Sequence, residues 1–157
     1  MWGIAMNKQK LELARRAVAC DHWRWMVGTP AVAEFHGEKV GLVCIYANHQ
    51  HMADFYCLDY GEEWENIHVS DQRSMGMLPD LNNPATLGCL LHLVREAWGD
   101  PLARVERANR FYTYDDRGTG CGARAWVVHI KTPPHLTRIP ADTEIEALIN
   151  ALEAAND

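Results

Sequence analysis

Asn83-Pro84-Ala85-Thr86-Leu87-Gly88-Cys89-Leu90-Leu91-His92-Leu93-Val94-Arg95-Glu96-Ala97-Trp98-Gly99 decides how this chain is organised. Asn83 is a capping residue, Pro84 suits a first helical position, and Gly99 stands where a helix stops. Between them Leu87, Leu90, Leu91, Val94 and Trp98 recur at helical spacing and predict a buried stripe. The segment is therefore read as a helix from Pro84 to Trp98, with Leu91 in its core face.

On its N-terminal side the pattern changes to strands. Ala31 to Phe35 and Val40 to Tyr46 alternate and are joined by His36-Gly37-Glu38-Lys39, which predicts a hairpin. Phe55 to Tyr60 predicts a third strand. Gly61 to Asp80 looks irregular and polar, with Met75 and Met77 exposed. Ahead of the strands, Asn7 caps an expected helix to Cys20, whose face is Leu11, Ala14 and Val18, widened by Leu13 and Ala17.

On the C-terminal side, Ala103 to Tyr114 and Ala123 to Lys131 predict two strands, joined by the glycine-rich stretch Asp115 to Gly122. A last helix is expected from Thr143 to Ala154, with Ile145, Leu148, Ile149 and Leu152 inward. The order is αβββαββα. Strands in hairpin-like runs argue for an α+β class, a mostly antiparallel sheet covered by helices in a layered sandwich.

Composition narrows the classes. The 157 residues match the common size of one domain, expected over 1–157. Hydrophobic residues make up 48% and charged residues 23%, an ordinary globular balance. The net charge of -6 weighs against long nucleic acid as a partner, since such proteins carry a basic footprint. Cys20, Cys44, Cys57, Cys89 and Cys121 form no CxxC pair, so a zinc site of the ribbon or finger kind is not expected. No bound metal is expected either, because the one close ligand cluster, His49, His51 and Asp54, falls short of the three or four well-placed ligands a stable site needs. Reduced thiols in a cytoplasm fit best. Met1 to Met6 is too short an apolar run for a signal peptide, and no run reaches the roughly 18 residues of a membrane span.

Three segments resemble a known group. They are Leu13-Ala14-Arg15-Arg16-Ala17-Val18-Ala19-Cys20 leading into His22-Trp23-Arg24-Trp25-Met26, then Leu78 to Leu91 leading into Arg95-Glu96-Ala97-Trp98-Gly99, then Glu146 to Ala155. Together they resemble small uncharacterised phage and prophage accessory proteins, whose layout looks like the phage ABA-sandwich domain family. The resemblance covers the helices and the residues leading into them. It implies expression in a bacterial host cytoplasm and an accessory, anti-defence role. One recurring mode of such proteins is a sponge that holds a host signalling nucleotide without cleaving it. It carries over no catalytic residue.

Two aromatic-basic segments are candidates for ligand binding. In Trp23-Arg24-Trp25 the indoles offer stacking faces and the arginine a bidentate fork for phosphate. The plainer alternative is that the tryptophans anchor the first helix to the core. In the second segment Arg110, Tyr112 and Tyr114 lie near Arg107 and Arg117, and Gly118-Thr119-Gly120-Cys121-Gly122 offers backbone N–H groups to an anion. Its alternative is an ordinary hairpin tip.

His49, His51 and Asp54 form the best candidate cluster for metal or acid–base chemistry, because alternate residues of an extended chain face one way. The alternative is a polar loop. Cys121 beside Arg117 and Arg124 would be an activated nucleophile only with a partner base, and none is evident.

The leading expectation is therefore a protein without catalysis or cofactor that binds a small anionic ligand, a nucleotide signal. Its site would be Trp23, Arg24, Trp25, Arg110, Tyr112 and Tyr114. The rivals are a hydrolase or phosphoesterase using His49, His51 and Asp54, and an interaction module docking a host protein through Met75 to Leu81. A homo-oligomer is compatible with each.

Overall fold

The structure is a computed structural model that describes residues 6–35, 38–47, 53–57, 66–69, 76–108 and 125–155. By compactness the chain falls into two units, Met1–Cys89 and Leu90–Asp157.

The first unit opens with α1, Lys8–Ala19. Asn7 caps it, its side-chain oxygen accepting from Lys10 N at 2.8 Å. Leu13, Ala14 and Ala17 are its buried residues. Leu11 and Val18, expected to centre the face, are only half-buried. The inward stripe is thus rotated toward the small residues, which let the helix approach closely.

Next come β1 (Pro30–Phe35), β2 (Glu38–Ala47), β3 (Ala53–Cys57), β4 (Asn66–Val69) and the short β5 (Leu78–Pro79). They form one sheet in the order β4-β3-β2-β1-β5. Every pairing is antiparallel, as the hairpin-like runs predict. The β1–β2 hairpin is tighter than expected. Phe35 already pairs with Glu38, so Glu38 and Lys39 belong to the strand. The third strand begins two residues early, at Ala53, and residues 58–60 lie outside the described ones. A register shift between Cys44 and Tyr46 takes Ile45 out of the β2–β3 pairing.

The stretch from Gly61 to Asp80 needs correcting. It contains β4, which pairs with β3, and β5, which pairs with β1. Met77 is 1% exposed and Leu81 is buried too. Neither presents an apolar side chain to a partner, so the docking loop expected over Met75 to Leu81 loses its basis. Met75 itself lies outside the described residues.

Helix α2 spans Pro84–Trp98, as predicted. Asn83 Oδ1 accepts from Ala85 N at 3.0 Å. At the other end Gly99 takes φ +62. Gly99 N donates to Glu96 O at 3.2 Å and Asp100 N to Arg95 O at 3.0 Å, the two bonds that close a Schellman motif. The buried face differs from the expected one. Thr86, Leu90, Leu93 and Val94 are buried, whereas Leu87, Leu91 and Trp98 are half-buried. The division between the two units falls within this helix, after Cys89.

The second unit contains β6 (Arg104–Arg107), β7 (Trp126–Thr132), β8 (His135–Ala141) and α3 (Glu144–Ala154). The strands form a second antiparallel sheet in the order β6-β7-β8. Two strands were expected and three are found among the described residues. Pro133 and Pro134 turn β7 into β8, and Thr132 pairs with His135. Proline punctuation hid this strand in the sequence. Thr143 caps α3, accepting from Glu146 N at 3.2 Å, and Glu146 Oε2 accepts from Asp142 N at the same distance. Helix α3 packs against this sheet, with Ala147, Leu148, Ile149, Ala151 and Leu152 buried. Trp98 Nε1 donates to Ala151 O at 2.8 Å. No helix among the described residues is long and apolar enough to cross a membrane. The class is α+β with antiparallel sheets.

Asp100 ties this unit together. Its Oδ2 accepts from Lys131 N at 2.8 Å and its Oδ1 from Leu102 N at 3.0 Å. The Lys131 N–H foremost, then the Leu102 N–H and the Lys131 and Arg95 charges, hold its carboxyl below the ordinary range against the opposing effect of burial. A carboxyl lowered on folding stabilises above its unfolded value of about 4, and that contribution is lost as pH falls through the folded value. Asp100→Asn is therefore expected to destabilise at pH 7 and to differ less from the parent near pH 3. Urea melts at the two pH values check this, and a gap independent of pH would contradict it.

Candidate functional site

The tryptophan segment proves to be core. Trp23 is 4% exposed and Trp25 1%. The Trp25 ring meets Phe55 edge-on, with centroids 4.8 Å apart, and meets Trp23 in the same way at 5.3 Å. Backbone bonds hold the segment in place. Trp23 N donates to Cys20 O at 3.0 Å, and Gly28 N donates to Cys44 O at 2.7 Å. With both ring systems packed inside, neither indole offers a face to a base, so Trp23 and Trp25 are withdrawn as a stacking platform. Arg24 between them is half-buried and already engaged.

Arg110, Tyr112, Tyr114, Arg117 and the stretch Gly118 to Gly122 with Cys121 lie outside the described residues. The residues that flank this stretch are described, and they are adjacent. Ala108 N donates to Ala125 O at 2.8 Å, one step beyond the β6–β7 ladder. His49 and His51 also lie outside. Asp54 is half-buried on β3, in register with Tyr46 on one side and His68 on the other. Among the described residues no group of three or more His, Cys, Asp or Glu is arranged to hold a metal.

Cys20, Cys44 and Cys89 are free thiols. Burial pushes the Cys44 thiol up to about 11, and the nearby Asp54 charge adds to this against the Tyr46 carbonyl contact. A thiol so raised is protonated at neutral pH and is a poor nucleophile.

The second sheet carries a polar cluster that sequence reasoning missed. Arg104 on β6 and Arg138 on β8 both stand in register with His129 on β7, so the three form one cross-strand rung. Directly opposed residues share a face, and Glu106, two residues on from Arg104, shares it too. The adjacent rung Val105–Val128–Ile139 is apolar and points to the other face.

His129 is 5% exposed. Its Nε2 stands 2.7 Å from Glu106 Oε1, a close contact and not an aligned hydrogen bond. The other carboxylate oxygen, Oε2, is 3.3 Å from Arg104 Nε. Arginine forks suit oxyanions, and an imidazole held by a carboxylate has a fixed orientation. The arrangement can hold an anion, and it has the polar parts of a general base.

Local signals for this cluster were thin: an Arg-x-Glu alternation in β6 and one histidine inside the apolar run Val127 to Ile130. The rung itself exists only through pairing, and Arg138 sits on the strand that was not foreseen.

Fold and site thus define an α+β protein with two antiparallel sheets, one of which displays a buried histidine between two arginines. No family model, no curated protein and no solved structure matches the chain.

Proposed function

We propose that this is a phage accessory protein that binds a small anionic ligand of the nucleotide class in the host cytoplasm and does not turn it over. The observation that carries the reading is the Arg104–His129–Arg138 rung in a chain of net charge -6. A locally basic rung in an acidic protein favours a small anion over a long polyanion. The tyrosines Tyr112 and Tyr114, with Arg110, fall in sequence between Ala108 and Ala125, outside the described residues. They now carry the stacking role, since the tryptophans are spent in the core. The phage setting rests on the resemblance of the helices, and a sponge for a signalling nucleotide is the role consistent with both.

Thermal-shift screening against a nucleotide panel, followed by calorimetry, tests this. Arg104→Ala or Arg138→Ala is expected to weaken binding roughly tenfold or more, since a charge-assisted hydrogen bond is worth about 1.5–3 kcal/mol. Both residues are exposed, so stability should change little. The ligand should be recovered intact. Arginine variants that bind like the parent would end this reading.

The 2.7 Å contact between Glu106 and His129 favours one rival, a hydrolase in which the carboxylate orients the imidazole as base. Product release by the parent, abolished in His129→Gln, would put that rival first.

A further inference from the structure

We propose that Cys44 and Cys89 form an oxidation site: a peroxide converts the half-buried Cys89 to a sulfenic acid, and Cys44 closes it into a disulfide between β2 and α2. Thr29 is the common neighbour of the two residues. Thr29 N donates to Met26 O at 2.9 Å and Gly28 takes φ +89, which makes a tight turn just ahead of β1. Gly28 N then donates to Cys44 O at 2.7 Å and Cys44 N to Thr29 O at 3.0 Å. Gly28 and Thr29 thus stand together opposite Cys44 in a glycine bulge. Ala31 and Leu42 pair further along the same two strands. Thr29 and Cys44 each lie two residues from that pair and share its face, and all four are at most 1% exposed.

Helix α2 brings Cys89 to this face. Thr29 Oγ1 donates to Cys89 Sγ at 3.4 Å and accepts from Met26 N at 3.3 Å, which fixes the hydroxyl between turn and helix. One buried threonine therefore touches the Cys89 thiol with its side chain and pairs with Cys44 through its backbone. Both thiols are free.

The two thiols differ in access. Cys89 keeps part of its surface in solvent, within reach of a small oxidant, whereas Cys44 is buried. Burial foremost, then the Asp54 and Cys89 charges, hold the Cys44 thiol up at about 11 against its contact with Tyr46 O at 3.3 Å. Cys44 is therefore not the first to react. The Cys89 sulfur attacks a peroxide oxygen, the O–O bond breaks, and the departing hydroxide leaves as water with the Cys89 proton. The Cys44 sulfur then attacks the Cys89 sulfur, the S–O bond breaks, and a second water carries off the Cys44 proton. Two thiols are oxidised to one disulfide and one peroxide is reduced to two waters. The second step should be slow at neutral pH and quicken as pH rises toward 11.

The test is to treat the folded protein with hydrogen peroxide, alkylate it after denaturation and map its peptides. Two of the five thiols should be lost, with Cys44 and Cys89 linked within one chain, and dithiothreitol should restore both. In Cys44→Ala a dimedone adduct should appear on Cys89 and no disulfide should form. The parent map decides even if that variant fails to fold. Five intact thiols, a bridge using any other cysteine, a bridge between two chains, or Cys89 carried on to sulfinic acid in the parent would each overturn the proposal.

Discussion

Trp25→Ala is expected to destabilise the protein by about 3–5 kcal/mol, the range for emptying a large aromatic site. Trp25 is among the largest fully buried side chains and lies edge-on to both Trp23 and Phe55. Its indole N–H has no hydrogen-bond partner among the described residues. The substitution therefore orphans no acceptor there, and the loss is one of apolar burial and ring contacts. Denaturant melts measure it through the midpoint at constant slope. Arg24→Ala, between the two tryptophans, should change stability far less. A Trp25 variant within about half a kcal/mol of the parent would return the ring to the surface and reopen it as a stacking platform.

Leu90→Ala is expected to cost about 2–5 kcal/mol, and Leu91→Ala clearly less. The two are adjacent in α2 and undergo the same change of helix propensity, so the difference between them isolates burial. Leu90 is fully buried beside Leu93 and Val94, while Leu91 keeps part of its surface in solvent. Equal losses would mean that the inward face of α2 lies where the leucine spacing alone had put it. Urea melts of the two variants and of Leu93→Ala would decide.

The pair also shows what the sequence carries and what it does not. Helix ends were legible because capping is local: Asn7, Asn83 and Thr143 each accept from an N–H two or three residues on. The azimuth of a helix was less so. In α2 every position from Leu90 to Val94 except His92 is apolar, and only the neighbours choose which of them face inward. β4 alternates Asn66, Ile67, His68 and Val69, too short a pattern to stand out from its polar surroundings. Trp23 and Trp25 read equally well as stack or anchor, since the same ring serves both and burial is settled by residues as distant as Phe55. The rung of Arg104, His129 and Arg138 is the extreme case. Its members are scattered along the chain and meet only through the register of two hairpin pairings.

Pro140 has a consequence for how the molecule behaves in a crowded cell. Among the described residues it lies on β8, at the edge of the second sheet, opposite Val127. Lacking an N–H, proline interrupts any ladder that a further strand would build along that margin. Exposed Arg138 and His135 on the same strand add charge and bulk. An open sheet margin is ordinarily a template on which copies of a protein stack into aggregates. Here that margin is blunted by its own sequence, which favours dispersed molecules when the protein accumulates to high concentration.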